Sequence, residues 1–339
     1  MGGTVEGRSA TMKIARWSFA LLLAAAMTLA VAPAVAQDAS SWPSRPVRII
    51  VPASAGGVAD AVARLLGEAL AKRLGQPFVL DNIAGAASLI GTAAAAKAPP
   101  DGYTLLIAAI APLGILPHVR KMPYVVERDL ASVGIVATQP HLLLVNPDKM
   151  PARTLPEFIK LTKDNSGKYN YASSGAGQLN HLEMELLLLK TGTKMTHVPY
   201  KSSGDQATAL IGGHVDAAVF GITAALPYIK GGTVRPIAVM TAERYPDLPD
   251  LPAVKELIPS FGGVSSWHGI LVPAATPKAI VAKLNGAMAD YLHSPEGIAQ
   301  MKTLGAEAVG STPEALDALI KHESALWAEV IRTANLTIQ

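Results

Sequence analysis

The stretch "VRIIVPASAGGVADAVARLLGEALAKRL", residues 47–74, decides the fold. Its first six residues are mostly β-branched and apolar and predict a strand; a loop of small residues follows, and 57–74 carries apolar residues at helical spacing. The same unit of strand, small-residue loop and helix recurs. "FVLDN" at 78–82 precedes a helical stretch at 86–97, and "TLLIAA" follows at 104–109. In the second half, "YNYA" at 169–172 leads to 178–191 and "THVPY" at 196–200 leads to 204–212, with further strands at 216–221 and 236–240. Alternation of this kind predicts parallel sheet in one or two α/β domains.

Two apolar runs break the alternation. Residues 134–147 and 265–277 are extended and flanked by proline, and they read as chain crossings between two lobes rather than as ordinary sheet strands. One lobe would then take 43–137 with 265–339, and the other 138–264. The tail is helical from Pro277 on, with Pro277, Pro295 and Pro313 each near the first turn of a new helix.

Residues 12–36 set Lys13 and Arg16 ahead of an apolar run that ends in Ala34-Val35-Ala36, the pattern of a secretory leader spanning 1–36 and cut before Gln37, with Met12 as the expected start. The run is short for a bilayer span and contains Pro33, so export is expected rather than anchoring. No twin-arginine pair precedes it, which favours the Sec route and a periplasmic destination. The chain has no cysteine, which excludes disulfides, thiolate metal sites and a lipid-anchored form. Its 29 basic and 26 acidic residues are nearly balanced and form no basic run, so a nucleic-acid partner is not expected.

Three loops carry the chemistry. They are "VPASAGGVAD" at 51–60, "YNYASSGAGQLNH" at 169–181, and "VPYKSSGDQ" at 198–206, each a small-residue turn ending where a helix begins. Such a loop either turns tightly for packing or offers N–H groups to an anion, because helix N-termini hold unpaired donors and a partial positive charge. Both readings stand for any one loop; three on parallel strands would gather donors at the carboxyl edges of two sheets, where open α/β folds bind ligands. "GAGQLN" has Asn180 at the third glycine position of a dinucleotide fingerprint, and no phosphate loop, nucleophile elbow or zinc motif is present. His181 and Glu185 read as a helix-face pair with Glu183 turned away, so no metal and no cofactor is expected. Trp267-His268 either line a cleft or pack.

The order of "WPSRPVRIIVPASAGGVADAVARLL", "AKAPPDGYTLL", "YNYASSGAGQLNHLEMELL", "HVPYKSSGDQATALIGGHVDAAV" and "LPDLPAVKEL" resembles the substrate-binding receptors of the tripartite tricarboxylate transporter family, the Bug receptors, over essentially the whole processed chain. The resemblance implies a type II periplasmic binding protein, an α/β fold of two lobes joined by two crossing strands, closing on a small carboxylate. It would deliver that ligand to membrane transporter subunits, act as a monomer and catalyse nothing. The positions matching the family's site are Ser54, Gly56, Gly57 and Asp60 in the first loop, where Val58 joins the expected set as a departure, and Ser173, Ser174, Gly175, Gly177, Gln178 and His181 in the second. Ser202, Gly221 and Trp267 complete the expected set.

Two departures bear on the ligand. Gly221 and Ile222 stand where relatives often carry an aspartate that pairs with an amino group, which argues against an amino acid. Ala53, Val58 and Ala59 replace an aromatic and two hydroxyl residues, which points to a carboxylate with an apolar or aromatic body rather than citrate or glutamate. The alternatives are an exported hydrolase on a two-lobed fold, for which no nucleophile and base are recognisable, and a ligand sensor feeding a signalling partner.

Overall fold

A computed structural model describes residues 41–336; the expected leader at 1–36 lies outside them. The opening stretch forms β1 (Val47–Val51) and α1 (Val58–Leu74), followed by β2 (Phe78–Asn82), α2 (Leu89–Ala96) and β3 (Thr104–Ala108). A short α3 (Val126–Asp129) leads into the long β4 (Leu130–Gln139), and β5 (His141–Val145) follows after one residue, Pro140. Next come α4 (Leu155–Asp164), β6 (Asn170–Ser173), α5 (Leu179–Thr191), β7 (Thr196–Pro199), α6 (Ser203–Ile211), β8 (Ala217–Gly221), α7 (Ile222–Lys230) and β9 (Arg235–Val239). The chain returns through α8 (Val254–Leu257) to β10 (Ser266–Pro273) and ends with α9 (Lys278–Leu292), α10 (Pro295–Thr303), β11 (Glu307–Ala308) and α11 (Pro313–Thr333).

These strands make two sheets, ordered β11-β4-β10-β3-β1-β2 and β7-β6-β8-β5-β9. Parallel pairing is confined to the units read from the sequence: β1 with β2 and β3, and β6 with β7 and β8. The two Pro-flanked runs join the sheets antiparallel: β10 runs antiparallel to β3 and β4, and β5 antiparallel to β8 and β9. The two Pro-flanked runs are therefore sheet strands along most of their length. A buried strand leaving one sheet for another must keep its N–H and C=O groups paired, so the first crossing shrinks to Pro140. The second passage lies upstream of its expected position, between Val239 and Ser266.

Burial explains why the strands hold. All five residues of β3 are buried, the mark of a strand covered on both faces. On β5 the alternation is plain: Leu143 and Val145 join the core between the sheets and α5, while Leu142 and Leu144 join the core on the opposite face with α6. The larger core is continuous from Ile50 and Leu106 of the first sheet to Val219 and Ile237 of the second, with Trp327 of α11 among its members. Caps fix the helix starts: Ser294, just before Pro295, accepts from the Gly297 N–H, Thr312, just before Pro313, accepts from the Ala315 N–H, and Gly75 ends α1 in the left-handed conformation. Among the described residues no helix is long and apolar enough to cross a membrane.

Candidate functional site

The loops at the carboxyl ends of the parallel strands, from both sheets, face one cavity of about 860 Å³. The first sheet contributes 52–59, 84–88 and 107–111; the second contributes 174–176, 178–180, 200–204 and the end of β8; Gln139, His141 and Ser266–His268 line it beside the crossings. Helices α1, α2, α5, α6 and α7 all begin from lining residues. Each start carries N–H groups without intrahelical partners and the positive end of a helix dipole.

The structure brings ten of the expected residues to this lining: Ser54, Gly56, Gly57 and Val58 in the first loop, Ser174, Gly175 and Gln178 in the second, and Ser202, Gly221 and Trp267. Asp60, Ser173, Gly177 and His181 stand behind it, and each holds a loop in place. Asp60 is 3% exposed. It accepts from the Gly56 N–H at 3.1 Å, from Asn82 Nδ2 at 3.0 Å and from Arg64 Nε at 2.9 Å. Burial works to raise its pKa, but the bonds from Arg64, Gly56 and Asn82 outweigh it and hold the carboxylate below its ordinary range. The Gly56 N–H is thereby spent on Asp60, which leaves the donors of Ser54, Ala55 and Gly57 and those of the first turn of α1 to the first loop.

Ser173 is fully buried. Its Oγ accepts from the Gly175 N–H at 3.2 Å, donates to the Gly175 carbonyl at 3.1 Å, and meets His197 Nε2 at 2.6 Å. The Gly177 N–H donates to His181 Nδ1 at 3.2 Å, and the Gln178 N–H to the Gly175 carbonyl. Three of the loop's donors are therefore used internally, which shifts the donors open to a ligand to Ser174 and Ala176. The rings of His181 and His197 stack at 3.8 Å and 12°, under Tyr171. Burial, aided by the neighbouring ring, lowers His181 to about 3, and burial lowers His197 to about 4, so both are neutral near pH 7. Accepting at Nδ1 places the His181 proton on Nε2, 4.0 Å from Glu185.

At the crossings, His141 Nδ1 lies 2.6 Å from Oε2 of the fully buried Glu183. His268 is buried and lowered to about 4, by burial and then by His141. Trp267 both lines and packs: it is 1% exposed, and its indole N–H donates to Glu323 at 3.0 Å, away from any ligand. Gln139 binds Thr223 Oγ1 at 3.1 Å and the Leu304 carbonyl at 3.0 Å. A Cβ at Gly221 would lie 2.8 Å from Gln139 Oε1, so a larger residue there would displace that amide. Among the described residues no cluster of three His, Cys, Asp or Glu is placed to hold a metal.

The sequence reading missed Gln139, His141, Arg120, Lys201 and the loop at 84–88. In that loop Ala86, Ala87 and Ser88 have φ of 47°, 52° and 72°. Left-handed backbone costs an L-residue about 1–2 kcal/mol, and such strain gathers at ligand loops. Ala87→Gly is expected to hold or slightly raise stability in urea melts, since relief there exceeds the added chain entropy of about 0.4–1 kcal/mol. Ala87→Val should lower it by about 1–2 kcal/mol. A glycine variant less stable than the valine variant would contradict the account of this turn.

The model of the tripartite tricarboxylate transporter family receptor matches residues 62–336. The structure of Rpa4515 from R. palustris with adipate superposes with a TM-score of 0.80 at 33% identity, covering 88% of this chain and all of that one. The periplasmic binding protein BugD gives 0.76 at 34% identity, covering 88% and 100%. MatC from Rhodopseudomonas palustris with bound malate gives 0.76 at 32%, covering 86% and 100%. With a family model over most of its length and two-lobed relatives matched end to end, this chain belongs to the tripartite tricarboxylate transporter receptor family.

Proposed function

We propose that the protein captures a small carboxylate in the cavity between its two sheets and hands it to membrane subunits of a tripartite tricarboxylate transporter, as an exported, periplasmic monomer. One observation carries this reading: five helix N-termini open onto a cavity whose lining contains no aspartate or glutamate. A carboxylate there meets backbone dipoles and N–H groups from both sheets and no opposing charge. The carboxylates bound by Rpa4515 and MatC support the same class of ligand. Capture would draw together the lobe of 43–137 with 265–339 and the lobe of 138–264, because donors lie on both.

The hydrolase alternative is not favoured. Ser173 and His197 are in contact, but Ser173 Oγ is buried and committed to both polar groups of Gly175, so it is not presented to a substrate. The test is a thermal-shift series of the processed protein with mono-, di- and tricarboxylates, followed by quantification of the ligand after incubation. A ligand that binds only the folded state raises the melting temperature. The proposal expects a concentration-dependent rise and full recovery of the ligand; consumption of the ligand, or no rise with any carboxylate, contradicts it.

A further inference from the structure

Arg120 and Lys201 are the acyclic cations on the cavity wall, and neither was singled out by the sequence patterns. Arg120 comes from the first half of the chain, held by its backbone N–H to the Leu116 carbonyl at 3.1 Å just after β3, and its side chain is half-buried. Lys201 is exposed on the second sheet's side, in the turn that opens α6. Ion pairs elsewhere are plentiful: Arg45, Arg48, Arg64, Arg128 and Arg244 each hold a carboxylate. The side chains of Arg120 and Lys201 have no hydrogen-bonding or ionic partner among the described residues. A half-buried guanidinium without a partner forfeits hydration and gains no bond in return. Such a group on a wall free of acids is complementary to an anion from solution.

The apolar first loop pointed to a ligand with one charged end. Val58 and Ala59 do line the cavity, yet Arg120 lines it too, and its planar pair of N–H donors can receive a second carboxylate. We propose that Arg120, assisted by Lys201, is the specificity residue that selects a dicarboxylate with an apolar middle over the monocarboxylate of equal length. This inference rests on the carboxylate reading of the cavity. The first carboxylate meets the neutral donors of the helix starts, the methylene chain lies along Ala53, Val58 and Ala59, and the far carboxylate pairs with Arg120.

The test is calorimetric titration of the processed receptor with butyrate against succinate and hexanoate against adipate, for the parent, Arg120→Gln, Arg120→Lys and the double variant Arg120→Gln with Lys201→Gln. The parent should bind at least one diacid ten or more times more tightly than its monoacid. In Arg120→Gln that ratio should fall below three, with monoacid affinity unchanged. Arg120→Lys should keep part of the ratio, and the double variant none. Melting curves confirm that each variant is folded. An equal loss of both affinities, or an undiminished ratio in Arg120→Gln, overturns the role of Arg120 while leaving the carboxylate receptor intact. Absence of binding by all four acids to the parent overturns both.

Discussion

Gly57→Asp is expected to raise the Kd for a carboxylate ligand at least a hundredfold while leaving the melting temperature unchanged or slightly higher. Gly57 is the N-cap of α1, with φ −81° and ψ 173°, and its side chain makes no cap because it has none. A Cβ there meets only the Ser54 carbonyl, at 3.6 Å, so an aspartate fits without strain. Aspartate is a favoured N-cap and would bond the first-turn N–H groups of α1, gaining a few tenths of a kcal/mol over glycine. Those N–H groups are the ones an anion would use. Two like charges about 4 Å apart in a partly shielded site repel by about 4 kcal/mol, roughly three orders of magnitude in affinity, so a hundredfold loss is the conservative figure. Gly175→Asp should also lose binding, but at φ 143° it strains the backbone as well, which makes Gly57 the cleaner probe. Calorimetry with a parallel melting curve decides it: parental affinity in Gly57→Asp would remove the first loop from the site.

The second large effect is acid lability. His181, His197 and His268 fall from 6.5 to about 3, 4 and 4 on folding. A histidine whose pKa is lower when folded binds fewer protons in the native state. Its stability is therefore complete above 6.5 and is lost as pH falls toward the folded value. At about 1.4 kcal/mol per unit, the three together give a loss on the order of 5–8 kcal/mol between pH 7 and 4.5, comparable to the whole stability of a domain. Glu323 opposes them. Burial pushes it up to about 7, with the Glu183 charge adding and the Trp267 bond resisting. Its proton is held more tightly when folded, so it stabilises the protein below 4.5 and loses about 3 kcal/mol of that as pH rises through 7.

Urea melts at pH 7.5, 6 and 4.5 should show a falling midpoint. Glu323→Gln keeps an acceptor for Trp267, and it should exceed the parent at pH 7.5 and match it at 4.5. His197→Gln, which cannot titrate, should be less stable at pH 7.5 yet lose less on acidification. A midpoint that is flat from pH 7.5 to 4.5 contradicts the burial of neutral histidines beneath the second loop.

Local patterns along the chain carried the strand, loop and helix units, because period-2 and helical spacing are written in consecutive residues. The starts of α10 and α11 were legible for the same reason, since Pro295 and Pro313 sit beside their capping Ser294 and Thr312. The antiparallel members were not. Whether 134–139 and 266–273 pair with β3, with each other or with nothing depends on partners more than a hundred residues away. In the site, the small-residue loops were legible as donors, yet which N–H groups remain open was not. The Gly56 donor goes to Asp60, and those of Gly175 and Gly177 go to Ser173 and His181, all settled by side-chain geometry. Arg120 escaped notice because a lone arginine in a loop has no pattern. Its meaning comes from the acid-free lining around it, which is assembled from loops between residues 52 and 268.

The measurement that tests the central claim most directly is calorimetric titration of the processed protein with adipate and malate, with the ligand quantified by proton NMR before and after. The account predicts saturable binding at one ligand per chain and complete recovery of the unchanged ligand. Heat without saturation, binding at a stoichiometry other than one, or loss of the ligand to a product would contradict it.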